Sequence, residues 1–469
     1  MTLAHAFLAL LLLTIMSCTT AFLGGNARIF ASNVARTLPA TTPLFCLLRQ
    51  RIPAFASSLR SFTSTSSASV PASSRSSSFS STSRPRLASI IPTPLTLSDE
   101  RQIAFLFQSD ELVAFPTETV YGLGGNALSA KAVSKIFETK GRPHSSPLIV
   151  HVLDIKDALP LTVYQSSPSA PSFPLFKCLT SSFWPGPLTV IVPSSPLVPP
   201  LVHSNSGFVA LRSPQHPISR SVLSAAGVPI AAPSANRFGH VSPTRARHVL
   251  DDLGEHRIWV VDGEGDCAAG AATAATERGE GFVGIESTVL QLSTDGKSAT
   301  LLRHGAITES MIKQSISAGG LGSQVSVLSP PKPAAGDRAA PSPGQTSTHY
   351  APDVPAFLVS SDLGKAPPLP EARPELRSSV VVDFGRRLEA MSSEALAYRD
   401  LSPGGSLAEA FRNTFDHLRW AEGVPGARAV LLPDLRELAE GNELARALED
   451  KLRRAASGRR VAESGIKAS

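Results

Sequence analysis

Apolar positions along the chain fall into two stretches of alternating helix-like and strand-like runs, separated by a proline-rich gap. In the first stretch, Ser98-Asp99-Glu100-Arg101 reads as a helix start, with Ala104, Leu106, Phe107 and Leu112 supplying its apolar side. A short strand from Leu112 to Phe115 then enters a loop that holds Gly122, Gly124 and Gly125. Ala130 to Thr139 repeats apolar residues at helical spacing (Ala132, Val133, Ile136, Phe137), and Gly141-Arg142-Pro143 breaks the pattern. Pro147 to Val152 reads as a buried strand. Further strand-like runs lie at Leu188 to Val192, Phe208 to Leu211, Ile258 to Val261 and Thr288 to Leu292. Helical patterns between several of them predict a mixed α/β domain.

From Gly319 to Gly344 the chain turns to Pro, Gly, Ala and Ser, a linker composition. Beyond it, Val354 to Val359, Ser379 to Asp383 and Ala429 to Leu432 read as strands, and Leu407 to Trp420 and Asn442 to Ala456 as helices. That alternation predicts a smaller C-terminal α/β domain with a partly parallel sheet. Folding is expected to begin near Leu95, which divides the chain into a first domain over 95–318, a linker over 319–353 and a second domain over 354–469. A length of 469 residues suits two such units. Ala268 to Gly281, rich in Ala, Gly and Thr, is expected to be a surface loop.

Charge changes the reading of the N-terminus. The chain carries a formal +6, yet eight arginines and no acid precede Asp99, so the remainder is acidic by two charges. The basicity therefore belongs to the extension and argues against a large nucleic-acid footprint on the folded part. Ala6 to Met16 is apolar but short for a membrane span, and the small residues at Thr19 to Ala21 suit a signal peptide over 1–21, cleaved before Phe22. Residues 22–94, rich in Ser and Arg and without lysine, have transit-peptide composition, with a disordered Ser-rich tract from Ser57 to Ser83. The series is similar to the bipartite leader of complex plastids; a mitochondrial leader is the alternative, and plain secretion is also compatible. No later apolar run is long enough to cross a bilayer, so the mature protein is expected off the membrane. Cys178 and Cys267, the cysteines outside the extension, have no C-x-x-C spacing and no neighbouring His pair, which leaves neither a disulfide framework nor a metal site.

Three segments carry candidate chemistry. Phe115 to Gly124 sets hydroxyls and the Glu118 carboxylate just past a strand, followed by glycines that permit close backbone approach; it is neither a P-loop nor a dinucleotide fingerprint, and a tight turn fits it too. Lys140 and Arg142 flank a helix end, where they could converge on a polyphosphate or simply cap the helix. Ser234-Ala235-Asn236 follows an apolar run, at a strand end where ligands of open sheets sit, or in a plain turn.

Taken together the motifs are specific. Thr117-Glu118-Thr119-Val120-Tyr121-Gly122-Leu123, Lys140-Gly141-Arg142-Pro143, Pro147-Leu148-Ile149-Val150-His151, Phe183-Trp184-Pro185-Gly186-Pro187-Leu188-Thr189, Ala232-Pro233-Ser234-Ala235-Asn236, Gly284-Ile285-Glu286-Ser287-Thr288-Val289 and Leu302-Arg303 stand in an order that resembles the YrdC-type threonylcarbamoyl-AMP synthases. Ser342-Pro343-Gly344-Gln345 with His349-Tyr350-Ala351-Pro352 is similar to the linker of the long, two-domain form.

The resemblance implies a twisted mixed open sheet holding L-threonine and ATP side by side. It implies threonine contacts at Thr119, His151, Arg212, Ala232 and Ser287, with Arg212 on the carboxylate. ATP contacts are implied at Lys140, Arg142, Ser146, Phe208, Ser234, Asn236, Ser242, Arg303 and Tyr350, with Lys140 and Arg142 as the catalytic cations and Tyr350 as a lid from the linker. Glu286 is taken as structural. Ser146 departs from the Asn or Lys common in relatives, and the Ala268 to Gly281 loop lengthens a short connection. Implied too are Mg²⁺ with ATP, bicarbonate as co-substrate, and a downstream tRNA threonylcarbamoyltransferase. Two alternatives are a double-stranded RNA-binding or ribosome-maturation module and a hydrogenase-maturation carbamoyltransferase; the missing zinc-finger cysteines count against the second.

Overall fold

Local capping chemistry sets where the first elements begin and end. In the computed structural model the first helix, α1 (Leu97–Gln108), starts one residue earlier than its sequence signal, because Thr96 caps it in a reciprocal box with Asp99. Helix α2 (Ala130–Lys140) is capped by Ser129, buries Ala132, Val133, Ile136 and Phe137 as its spacing predicts, and stops at Gly141 with φ 61°. The structure describes residues 87–263, 284–329, 350–360 and 374–466. The leader, the Ser-rich tract, the loop from Ala268 to Gly281 and the motif from Ser342 to His349 lie outside them. All described residues belong to one unit, Ser83–Ser469.

The chain enters the fold earlier than Leu95. Strand β1 (Ser89–Ile91) runs parallel to β8 (Trp259–Val261), which in turn runs parallel to β2 (Val113–Phe115). The glycine run read as a loop is strand β3 (Gly122–Asn126), antiparallel to β2 on one side and to β7 (Ile230–Ala231) on the other. Its glycines answer to packing: a Cβ on Gly124 would stand 2.7 Å from the Phe115 ring and 2.8 Å from Ile230 Cγ2.

The sheet continues through β4 (Ile149–His151), β6 (Phe208–Arg212), β5 (Leu188–Pro193), β9 (Thr288–Leu292), β10 (Ser298–Arg303) and β11 (Ser326–Leu328), giving an eleven-stranded mixed order β1-β8-β2-β3-β7-β4-β6-β5-β9-β10-β11. Strand β11 falls in the segment expected to be linker. Helices α3 (Ile155–Ala158), α4 (Phe173–Phe183), α5 (Pro217–Ala226), α6 (Ala246–Leu253) and α7 (Glu309–Ala318) connect these strands. Alternation along β4 and β6 separates two faces: Val150 and Leu211 enter the main core, whereas Ile149, His151 and Arg212 face a cleft.

The C-terminal domain pairs β14 (Ala397–Asp400), β13 (Ser379–Asp383), β15 (Ala429–Pro433), β12 (Ala356–Ser360) and β16 (Arg460–Ala462), and every pairing is parallel. Helices α8 (Leu407–Glu422), α9 (Arg436–Gly441) and α10 (Glu443–Ala455) belong to it. Its core is not self-contained: Val120, Val241, Ile285 and Tyr350 pack into the same cluster as Phe411, Phe415 and Leu418 of α8. Gly284 (φ 76°) comes so close to α8 that a Cβ there would lie 2.5 Å from Arg412 Cα. Among the described residues no helix is long and apolar enough to cross a membrane.

Candidate functional site

The cleft gathers residues that are far apart in sequence because several strand ends meet there. Its walls come from the β2–β3 connection (Thr117, Thr119), the segment after α2 (Arg142, Pro147), β4 and β6 (His151, Arg212), the exit of β7 (Ala232, Pro233, Ser234) and the β9–β10 pair (Glu286, Ser287, Arg303). The β4–β6 register sets His151 directly beside Arg212.

Arg212 is held from two sides. Its Nη1 donates to Thr119 Oγ1 at 2.9 Å and its Nη2 to Glu118 Oε1 at 2.5 Å, while the second oxygen of Glu118 accepts from the backbone N–H groups of Gln215 and His216. Thr119 is itself fixed by Thr117, whose Oγ1 lies 2.8 Å away and also donates to the Val120 carbonyl. The guanidinium is thus oriented before any ligand arrives, and its Nε has no partner among the described residues. Beside it, burial and then the Arg212 cation lower the His151 pKa to about 3, so the ring is neutral; its Nδ1 also lacks a partner among the described residues.

A second group of cations lines the same cleft. Arg142 spends Nε on the Ser146 carbonyl at 3.0 Å and Nη2 on the Pro147 carbonyl at 2.9 Å, and its pKa falls to about 10 through burial and the neighbouring Arg303. Arg303 donates to the Ser287 carbonyl and, at 3.0 Å, to Ser287 Oγ, which in turn meets Thr189 Oγ1 at 2.7 Å. A buried guanidinium whose charge is disfavoured by a second cation nearby makes a site that an anion relieves. Glu286 faces the same space, with Oε1 accepting from Ser242 Oγ at 2.7 Å and Oε2 unpartnered among the described residues.

Of the residues singled out by sequence, Thr119, Arg142, His151, Arg212, Ala232, Ser234, Ser287 and Arg303 line the cleft. The others are not among its lining residues. Lys140 is buried and donates its ammonium to the carbonyls of Ser234, at 2.6 Å, and of Asn236; burial, followed by Arg142, holds its pKa well below the usual lysine value. Asn236 Nδ2 in turn donates to the Arg237 and His240 carbonyls, so the two residues clasp the loop that presents Ser234. Ser146 meets Arg142 through its carbonyl, Ser242 braces Glu286, and Phe208 packs against the cluster of Ile149, Ile191, Ala210, Val289 and Leu302. Tyr350 is fully buried, its ring 5.2 Å from that of Phe415, in a packed position at the seam between the domains.

Sequence reasoning left out Thr117 and Pro147 and took Glu286 as structural, yet all three line the cleft. All three sat inside motifs already quoted, and the signal for Glu286 is a carboxylate beside serine at a strand entrance.

Both domains match known proteins. The Sua5/YciO/YrdC family model, described as telomere recombination, matches residues 106–305, and the model for the C-terminal domain of threonylcarbamoyl-AMP synthase matches residues 307–457. The chain is 38% identical over 300 residues to the threonylcarbamoyl-AMP synthase of Bacillus subtilis (strain 168), covering 63% of this chain and 74% of that one. It is 32% identical over 367 residues to that of Pyrococcus abyssi (strain GE5 / Orsay), covering 77% and 94%. The crystal structure of P. abyssi Sua5 complexed with L-threonine superposes with a TM-score of 0.61 at 29% identity, covering 80% of this chain and 99% of that one. With its arginine-lined cleft and a second domain that shares its core, this chain belongs to the threonylcarbamoyl-AMP synthase family in its long, two-domain form.

Proposed function

We propose that the protein is an L-threonylcarbamoyladenylate synthase, a nucleotidyltransferase that makes threonylcarbamoyl-AMP and pyrophosphate from L-threonine, bicarbonate and ATP. The observation that carries the reading is the division of the cleft into two differently prepared halves. One holds the braced Arg212 beside a neutral His151; the other holds Arg142 and Arg303. The likeness to a Sua5 structure complexed with L-threonine supports the assignment of the first half to the amino acid.

In this scheme the free Nε edge of Arg212 takes the threonine carboxylate while its other two nitrogens stay on Thr119 and Glu118. His151 Nδ1 offers an acceptor to the amine, and Ser287 and the Ala232 backbone complete the enclosure. The amine nitrogen attacks carbon dioxide derived from bicarbonate and loses a proton, giving a carbamate. A carbamate oxygen then attacks the α-phosphorus, and the bond to the β-phosphate oxygen breaks to release pyrophosphate. Such a displacement depends on positioning and charge neutralisation more than on covalent help. Arg142 and Arg303 supply the cations, and Lys140 acts through the loop it clasps.

The residues also suit the Mg²⁺ that accompanies ATP. Glu286 Oε2 is an unpartnered carboxylate oxygen on the wall of the phosphate half, a donor suited to a hard cation directly or through water. When bound, the ion neutralises phosphate charge. The product would pass to a tRNA threonylcarbamoyltransferase, and the composition of the N-terminal extension supports a plastid as the compartment. The test is pyrophosphate release by the purified protein: dependence on both L-threonine and bicarbonate is expected, and release indifferent to threonine overturns the reading.

A further inference from the structure

Thr117 and Thr119 both line the cleft, and both are buried. Their hydroxyl oxygens stand 2.8 Å apart, a distance that requires one hydrogen between them. Each hydroxyl carries a single hydrogen, so the other partners decide which residue supplies it. Thr117 Oγ1 lies 2.7 Å from the Val120 carbonyl oxygen, which can only accept, so the Thr117 hydrogen is spent there. The backbone N–H groups of Thr119 and Val120, at 3.1 and 3.2 Å, also donate to that oxygen and use it as an acceptor. Thr119 therefore donates its own hydrogen to Thr117.

Thr119 Oγ1 is then left with lone pairs alone. Arg212 Nη1, a donor in every protonation state, uses one of them at 2.9 Å. Hydrogens run one way along this chain, from the Arg212 guanidinium through Thr119 and Thr117 to the main chain, and each link polarises the next. The lone pair that Thr119 keeps for a ligand accepts from an N–H or an O–H and cannot donate to a carboxylate. A carboxylate has its own place at Arg212 Nε, the donor without a partner among the described residues.

Resting on the synthase reading above, we propose that Thr117 is a positioning residue for the amino acid: its hydroxyl draws the Thr119 hydrogen onto itself, so that Thr119 accepts from the ammonium or the side-chain hydroxyl of L-threonine. The arrangement also discriminates. A ligand that brings a methyl group where the donor belongs leaves the buried Thr119 oxygen without a hydrogen.

Calorimetric titration of the full chain with L-threonine and, separately, with a non-hydrolysable ATP analogue tests this. Thr117→Val removes the hydroxyl at the same shape, and Thr117→Ser keeps it; Thr117→Ala serves if the valine variant does not fold. Loss of the hydroxyl is expected to weaken L-threonine about tenfold and to leave the ATP analogue within about twofold, with Thr117→Ser recovering most of the affinity. Because Thr117 acts through Thr119, the double variant Thr117→Val/Thr119→Val should bind L-threonine no more weakly than Thr119→Val alone. L-Valine, which keeps the amine and lacks the hydroxyl, names the donor: a parallel loss in Thr117→Val assigns the ammonium, no further loss assigns the hydroxyl, and either upholds the acceptor. Losses that multiply in the double variant, equal loss of both ligands, unchanged threonine affinity, or failure of both Thr117→Val and Thr117→Ala to fold overturns the proposal. A wild-type chain that binds the ATP analogue but no L-threonine refutes instead the synthase reading on which it rests.

Discussion

His240 Nε2 lies 2.9 Å from Glu422 Oε2, joining a loop of the first domain to the last turn of α8 in the second. The other ring nitrogen is 2.8 Å from Asp252, which Arg419 of α8 also grips at 2.8 Å. Burial works against a charged ring here, but the two carboxylates outweigh it and raise the His240 pKa to about 9. Because the folded value exceeds the ordinary one near 6.5, the stability it contributes is fully present below that value and is lost as pH rises through about 9. The melting temperature is therefore expected to fall between about pH 7 and pH 9.5. In His240→Gln that pH dependence should flatten, with a loss on the order of 2 kcal/mol at pH 6.5. Thermal scans across this range check both.

Arg142→Ala should leave a folded protein whose pyrophosphate release drops by a hundredfold or so, the usual scale for removing one preorganised group that stabilises transition-state charge. Arg142→Lys should recover little. A lysine has one ammonium where Arg142 uses Nε and Nη2 separately on the carbonyls of Ser146 and Pro147. Circular dichroism and a steady-state assay on both variants suffice.

Glu118→Gln acts on the other half. It removes the negative charge beside Arg212 and leaves one acceptor oxygen where Glu118 uses two, so either Arg212 Nη2 or the backbone N–H groups of Gln215 and His216 face an amide NH2, and the guanidinium is held less firmly. The expected outcome is a rise of roughly tenfold or more in the threonine KM with little change in that for ATP. Parallel shifts in both constants would count against the two-half division.

A chain cut after Pro352 should lose solubility or melt well below the full protein. The cut uncovers Val120, Val241, Ile285 and Tyr350, which are now buried in a cluster shared with α8. Differential scanning fluorimetry and size-exclusion chromatography decide it.

Gly124→Ala should cost about 1–3 kcal/mol, because its methyl would meet Phe115 and Ile230 at under 3 Å in a strand flanked on both sides. Chemical denaturation measures it.

What the sequence made legible depended on whether the cause was local. The α2 face, Ser379–Asp383 and the start of α8 follow from periodicity and capping, and the structure returns them with small shifts. Strand β3 was hidden because glycine signals a turn locally, whereas here it answers to a ring and a side chain from neighbouring strands. Strand β1 was hidden because it lies inside the segment read as leader; its pairing partner, Trp259–Val261, is more than a hundred residues away. In the site, the family motifs named the arginines, but motifs carry no distances. Only coordinates separate Arg142 and Arg303 in the wall from Lys140, whose ammonium is tied to two carbonyls.

Gly122, which bridges Ser234, lines the cleft with no side chain, and a Cβ there would come within 3.2 Å of Ala232. A position closed to larger residues offers evolution almost nothing to substitute. Drift in what the cleft accepts must therefore be written in the side chains around it, on β4, β6 and the segments that carry Thr119, Arg142 and Ser287.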